Sequence, residues 1–322
     1  MDDLERRLLH ALKIDGRVSF SRLAKVLGVS DQTVARRYRK LQTEVSLRVI
    51  ARSDARLLGT YEWFVRMKGG SVAVSRTASL LAQRPETSWV SLVSGGLEVV
   101  CLVRSTDARG EQQALLRHLG EPPQAGQVAA YDVLHTFLGE RRLWPGLKSD
   151  LDDEQIKQLT AGLPEPVGAE DLRITDSDKA LIEALGEDGR TPLQELALVT
   201  DSAENTVRRR LEHLRACGAL YFDLDVDYHL LGFDALALLW LAVRPQCLVP
   251  VAEAVARHPE VSFVAATTGG ANLLASVICR DNSHLFDYLA HQVGEMEGVL
   301  YVEVAPILHI VKRVVAPAGV TV

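Results

Sequence analysis

Cysteine is scarce and scattered in this sequence. Cys101, Cys217, Cys247 and Cys279 are the four among 322 residues, with no C-x-x-C spacing and no histidine cluster beside them. That pattern supports neither a disulfide framework nor a zinc site, and it predicts buried thiols in a reducing compartment. No run approaches the roughly 18 apolar residues of a membrane span. The opening MDDLERRLLHALK mixes charge with leucine and lacks the apolar centre of a signal peptide. A soluble cytoplasmic protein with no membrane partner is therefore expected. An excess of positive charge is also missing: 36 Lys and Arg face 42 Asp and Glu, a net charge of −6. That balance argues against indiscriminate nucleic-acid binding but leaves room for a local basic patch. GxSxG, HExxH, P-loop and paired-carboxylate motifs are absent as well, so neither catalysis nor a cofactor is indicated.

What the chain does have is 47% hydrophobic residues, enough to bury cores in two or more domains, and an internal repeat. Asp15-Gly16-Arg17 returns as Asp188-Gly189-Arg190, Thr33-Val34 as Thr206-Val207, Arg36-Arg37 as Arg209-Arg210, and Leu58-Gly59 as Leu231-Gly232, all at an offset of 173. Gly95-Gly96 returns as Gly269-Gly270 and Leu134-His135 as Leu308-His309, at 174. Chance does not hold a register over such a length. Two copies of one unit are expected, divided as 1–55 and 174–228 (helical), 56–148 and 229–322 (mixed), with 149–173 as a connector that starts in a short acidic helix.

Each helical block reads as a helix-turn-helix. Leu4, Leu8, Leu9 and Leu12 share one face of a helix that Gly16 stops; Leu23, Ala24 and Leu27 mark a second helix ended by Gly28. Ser30 caps a third, with Val34, Tyr38 and Leu41 inward and Thr33, Arg36, Arg37 and Lys40 outward. The second copy repeats this with Val207, Leu211 and Leu214; it has Asp201 for Gly28 and Ala203 for Ser30, and Asp201 with Glu204 is expected to form a capping box. Each mixed block alternates strand and helix in βαββαβ order. In copy one the strands are Trp63–Val65, Trp89–Val93, Leu97–Val103 and Val128–Phe137, with helices over 72–84 and 107–119. That order predicts a ferredoxin-like sandwich with one bare sheet face. The fold class is therefore α+β: two winged helix-turn-helix domains and two ferredoxin-like domains in tandem.

A basic run is ordinarily only a solvated helix face. Here it follows a tight turn, where a recognition helix touches base edges with its amino end and phosphates with its arginines. Double-stranded DNA is the expected partner, read by Ser30, Gln32, Thr33, Arg36, Arg37 and Lys40, and by Asn205, Thr206, Arg209 and Arg210. The two modules are not equivalent. Residues 1–55 carry twelve Lys and Arg against seven Asp and Glu, net +5; residues 174–228 carry six against twelve, net −6. The first should dominate affinity, on an asymmetric operator. His135 and His309, isolated on strands, are expected to be packed and hydrogen-bonded rather than catalytic.

Leu23-Ala24, Ser30, Thr33-Val34, Arg36-Arg37, Leu41 and Leu58-Gly59, followed by βαββαβ with a glycine hairpin, resemble the Lrp/AsnC (feast/famine) transcription regulators. The resemblance spans nearly the whole chain, twice. It implies that the bare sheet faces cover each other, that the protein self-associates, and that an amino acid or related effector binds near the glycine hairpins. By that resemblance the effector residues are Gly95, Gly96 and Glu98, and Gly269, Gly270 and Asn272, although the family's loop aspartate is Glu98 in one copy and Asn272 in the other. The family's glycine after the recognition helix is Gly218 in copy two but Val45 in copy one, which implies a differently set first wing. Siroheme decarboxylases resemble the same paired architecture. Under that alternative His135 or His309, with Arg66 and Arg104, would line a tetrapyrrole pocket. A third alternative is an assembly partner that does not bind DNA.

Overall fold

The computed structural model describes residues 1–105, 125–138 and 151–313. Copy one runs α1 (Asp3–Ile14), α2 (Phe20–Leu27), α3 (Asp31–Glu44), β1 (Arg48–Ser53), β2 (Tyr61–Gly69), α4 (Ser71–Ala82), β3 (Thr87–Val93), β4 (Glu98–Ser105) and β5 (Ala125–Leu138). After a connector helix, α5 (Asp153–Thr160), copy two runs α6 (Asp176–Glu187), α7 (Leu193–Val199), α8 (Glu204–Ala216), β6 (Leu220–Asp225), β7 (Ala235–Val243), α9 (Leu248–Val255), β8 (Val261–Thr267), β9 (Leu273–Cys279), α10 (Asn282–Asp287) and β10 (Val299–Arg313). The helix expected over 107–119 lies outside the described residues. The copies do not fold as two separate halves. The described residues within 1–58 and 140–231 form one compact unit, and those within 59–139 and 232–322 form the other.

In the helical unit, β1 and β6 pair antiparallel from Arg48↔Asp225 to Ser53↔Leu220. Ile50 and Asp223, which are equivalent in the repeat, face each other at the centre. The repeated Asp-Gly-Arg string makes this union. Arg17 donates to the carbonyls of Gly189 and Thr191 at 2.7 and 2.9 Å, and Arg190 returns bonds to Gly16 and Val18 at 2.6 and 2.9 Å. Asp15 accepts from Arg215 at 2.8 Å. Gly16 does not act as the helix stop: α1 ends at Ile14 with Asp15 in an extended C-cap. The glycine is needed instead for close approach, because a Cβ there would lie 2.7 Å from both Phe222 and Val49. Gly16→Ala should therefore cost about 1–3 kcal/mol of helical-unit stability in denaturant titration, by forcing the modules apart.

Charge makes the union heterotypic. Asp223 is held between Lys13 and Arg52, and Arg48 pairs with Asp225 at 2.6 Å. Two copies of module one in the same register would instead set Arg48 against Arg52. Part of the opposite net charge of the modules is thus interface chemistry.

In the other unit each copy forms a four-stranded sheet, β5-β2-β4-β3 and β10-β7-β9-β8, and the edges join β3 to β10 and β5 to β8 in a closed eight-stranded barrel. The strands carry the period-2 alternation of two-sided sheets. Outward residues such as Trp63, Val65 and Val90 pack on Val74, Ala78 and Leu81 of α4. The inner faces meet each other through Phe64, Val100 and Leu102 of one sheet and Leu238, Trp240 and Leu274 of the other. Mutual covering of the sheets is as the resemblance implied. Burial of each such side chain contributes about 1.5–3 kcal/mol, and closure leaves no unpaired sheet edge.

Candidate nucleic-acid interface

The first reading helix begins at the Ser30 cap that sequence places there, whereas the second begins at Glu204, two residues later than a capping box at Asp201 would start it. The Ser30 hydroxyl accepts from the Thr33 amide at 3.2 Å and contacts the Thr33 hydroxyl at 2.9 Å. Ala203 gives α8 no side-chain cap. The capping box expected of Asp201 and Glu204 does not form: Asp201 occupies the turn at φ 47°, taking the left-handed place that Gly28 holds at φ 70°. At the other end the turn shifts by one residue. Gly218 is left-handed at φ 71°, whereas in copy one Ser46, not Val45, takes φ 53°.

Val34, Tyr38 and Leu41 are buried, as are Val207, Leu211 and Leu214. Gln32, Arg36, Asn205, Thr206 and Arg209 are exposed. Arg37 and Lys40, expected outward with Arg36, are drawn back onto α1. Arg37 Nη1 lies 2.8 Å from Glu5 and 2.6 Å from Asp2, and Lys40 Nζ lies 2.7 Å from Glu5. Copy two repeats the device at the same offset: Arg210 is paired with Asp178 and donates to the Arg173 carbonyl at 2.6 Å. The second arginine of each repeated Arg-Arg pair thus ties the reading helix to the first helix of its module. The first, Arg36 or Arg209, is exposed and has no hydrogen bond or ion pair among the described residues. The sequence signal for Glu5 and Asp178 is an acid kept at the same offset, 32 residues before each tethering arginine.

Burial alone would raise the Glu5 pKa, but hydrogen bonds from Lys40, the Asp2 amide and Arg37 override it and hold the carboxyl at about 2. Desolvation of Asp178 is likewise outweighed by Arg210 and Thr175. A carboxyl whose folded pKa is depressed stabilises the fold above its ordinary value near 4.5 and stops doing so as pH falls through the folded value. The helical unit should therefore lose on the order of 2–3 kcal/mol through Glu5 as pH falls from about 4.5 to about 2. Glu5→Gln should flatten that limb in urea titrations at stepped pH.

At the glycine hairpins, Ser94, Gly95 and Gly96 are left-handed at φ 53°, 69° and 81°, and Gly269 lies at φ 101°. A Cβ on Gly269 would sit 2.9 Å from the Tyr131 ring. Glu98 and Asn272 stand at equivalent strand starts and both are already engaged. Glu98 is buried and accepts from Arg66 Nε at 2.8 Å, with Lys68 Nζ at 3.2 Å; Arg66 also pairs with Glu303 and lies 5.3 Å over the Trp240 ring. Asn272 exchanges two bonds with the Val243 backbone, at 2.8 and 2.9 Å. Desolvation would lower the Arg66 pKa, but bonds to Glu303 and Glu98 raise it instead, so the guanidinium is charged throughout.

His135 and His309 are exposed rather than packed; His135 stands edge-on to Phe137. Arg104 pairs with Glu62 at 2.6 Å. Among the described residues no group of three or more His, Cys, Asp or Glu could hold a metal ion, and no helix is long and apolar enough to cross a membrane.

The AsnC-type helix-turn-helix domain model matches residues 1–42 and 174–215, and the Lrp/AsnC ligand binding domain model matches 236–316. The HTH-type transcriptional regulator FL11 of Pyrococcus furiosus is 32% identical over 127 residues, 39% of this chain and 83% of that protein. LrpA of Pyrococcus horikoshii is 29% identical over 140 residues, 43% of this chain and 99% of that protein, so one copy of the repeat corresponds to a whole relative. Over the full length, the siroheme decarboxylase NirDL superposes on 99% of this chain and 95% of its own with a TM-score of 0.66 at 16% identity, a likeness of fold. With two helix-turn-helix matches, a ligand-binding-domain match and such relatives, the chain belongs to the Lrp/AsnC family.

Proposed function

We propose that the protein is a sequence-specific DNA-binding transcriptional regulator in which one chain acts as a pseudo-dimer. The observation that carries the reading is the pair of reading helices, each held by a tethering arginine that leaves Arg36 and Arg209 projecting beside exposed Gln32 or Asn205. Arginines so placed reach phosphates while the amino-terminal amide side chains reach base edges. Module one, net +5, dominates affinity, and the operator has unequal half-sites. An amino-acid effector at the glycine hairpins meets their backbone rather than the Glu98 and Asn272 side chains, which are engaged elsewhere. Self-association uses the exposed, repeat-equivalent Leu134 and Leu308. Genome-wide mapping of bound DNA followed by mobility shift on one recovered site tests the reading: retention of a discrete set of sites supports it, and equal binding to all fragments refutes it.

A siroheme-decarboxylase-like enzyme is the second reading, favoured by the whole-chain likeness to NirDL. It requires Arg66 to leave Glu98 and Glu303 to serve a tetrapyrrole. A Soret band in the purified protein, or on titration with an iron porphyrin, would support that reading; a colourless protein that retains DNA supports the regulator.

A further inference from the structure

The second helical module holds an open cleft of about 560 Å³ between the start of α6 and the reading helix α8. Its lining includes Ser177, Thr200, Ser202, Thr206, Arg209 and His213, over a floor in which Arg210 is paired with Asp178. We propose that this cleft is a binding site for a phosphate group. The copies themselves supply the argument. Three lining positions that are aliphatic in module one, Leu4, Leu27 and Val29, are Ser177, Thr200 and Ser202 in module two. All three changes fall on one cleft.

Thr200 and Ser202 spend their hydroxyl protons on the carbonyls of Leu196 and Thr200, at 2.8 and 3.0 Å, so they supply room and polarity rather than donors. The donors are the Arg209 guanidinium, the Ser177 and Thr206 hydroxyls and the His213 ring, none of which has a side-chain partner among the described residues. A further difference adds to these. In module one the Ser30 hydroxyl fills the start of the reading helix, whereas Ala203 leaves the corresponding start without a side-chain acceptor, flanked by Ser202 and Thr206 of the cleft wall. A helix start left open beside a guanidinium fits a tetrahedral oxyanion. Two guanidiniums against one carboxylate make the lining positive within a module of net charge −6.

The phosphate has two chemical sources, the DNA backbone or a free phosphate monoester. Only the first rests on the proposed DNA-binding function. The test uses the full chain without DNA, titrated with inorganic phosphate at low ionic strength while backbone amides are followed by TROSY NMR. Saturable shifts at Ser177, Ser202, Thr206 and Arg209, with a Kd on the order of 1 mM, are expected. Ser177→Leu/Thr200→Leu/Ser202→Val installs the residues that module one packs at these positions and should abolish the shifts, and Arg209→Ala should weaken them about tenfold. Still amides in module two, or shifts that survive the triple substitution in a folded chain, would overturn the site. A DNA arm separates the sources. Loss of DNA affinity with a shallower salt slope in the triple variant assigns the cleft to the backbone; unchanged DNA affinity, with loss of phosphate's effect on it, assigns it to a free monoester. Phosphate binding in a protein that ignores DNA would reject the regulator and leave the cleft standing.

Discussion

Replacing Arg66 by alanine should lower the stability of the barrel unit by about 3–5 kcal/mol, the cost of stranding a buried charge whose partner is removed. Arg66 is 6% exposed and Glu98 7%, and the guanidinium is the group that both Glu98 and Glu303 share. Lys68 stays within 3.2 Å of Glu98, but its half-exposed ammonium cannot replace Nε and Nη donation. The substitution also removes the cation above Trp240, whose indole N–H already lacks a partner. The triple change Arg66→Met, Glu98→Gln, Glu303→Gln should recover much of the loss, since an apolar or neutral set avoids the desolvation of ions. Urea titration of the three proteins reads this directly. A neutral Arg66→Ala would mean that the network is solvated and that Glu98 is free for an effector.

The network is also where the repeat has broken. Arg66, Lys68, Glu98 and Glu303 correspond to Trp240, Ala242, Asn272 and Ala129 in the other copy. The ionic group and its aromatic counterpart meet inside the barrel, where Arg66 lies 5.3 Å over the Trp240 ring and Tyr131 stands 4.9 Å from that ring. Two identical subunits could not diverge in this way; one chain carrying both copies can.

Arg36→Ala should weaken DNA binding about 10- to 100-fold and make the plot of log affinity against log salt shallower by roughly one, the signature of one lost phosphate contact. Its folding stability should stay within about 0.5 kcal/mol of the parent, because an exposed side chain without partners is removed. Arg37→Ala should behave in the opposite sense. It strips Glu5 of one of its two cationic partners, costs about 1–3 kcal/mol of stability, and weakens DNA through displacement of α3 rather than through a lost phosphate contact. Equal effects of the two on the salt slope would contradict the division of labour within the arginine pair.

The helix positions, the strand order and the duplication were legible because they rest on periodicity and self-comparison. Leu8, Leu9 and Leu12 on one face, and the short apolar run Trp63-Phe64-Val65, dictate local structure without help from distant residues. What sequence does not reveal is which residue a side chain meets across the fold. Arg37 and Arg36 are indistinguishable in a string; only the approach of α1 makes one a tether and leaves the other outward. The Asp-Gly-Arg string was visible as a repeat, but its use required β1 to pair with β6, which brings Gly16 against Phe222 and Arg17 against Gly189. Family resemblance makes Glu98 an effector residue, and the proximity of Arg66 and Glu303, which are 237 residues apart in the chain, does not follow from spacing.

The central claim is that one chain reads DNA through two unequal modules, with Arg36 supplying the stronger grip. Footprinting the parent, Arg36→Ala and Arg209→Ala on one recovered operator tests it most directly. Two adjacent protected half-sites are expected; Arg36→Ala moves protection of the stronger to higher protein concentrations, while Arg209→Ala affects only the weaker. A symmetrical footprint that either substitution erodes equally, or no footprint at any site, would contradict it.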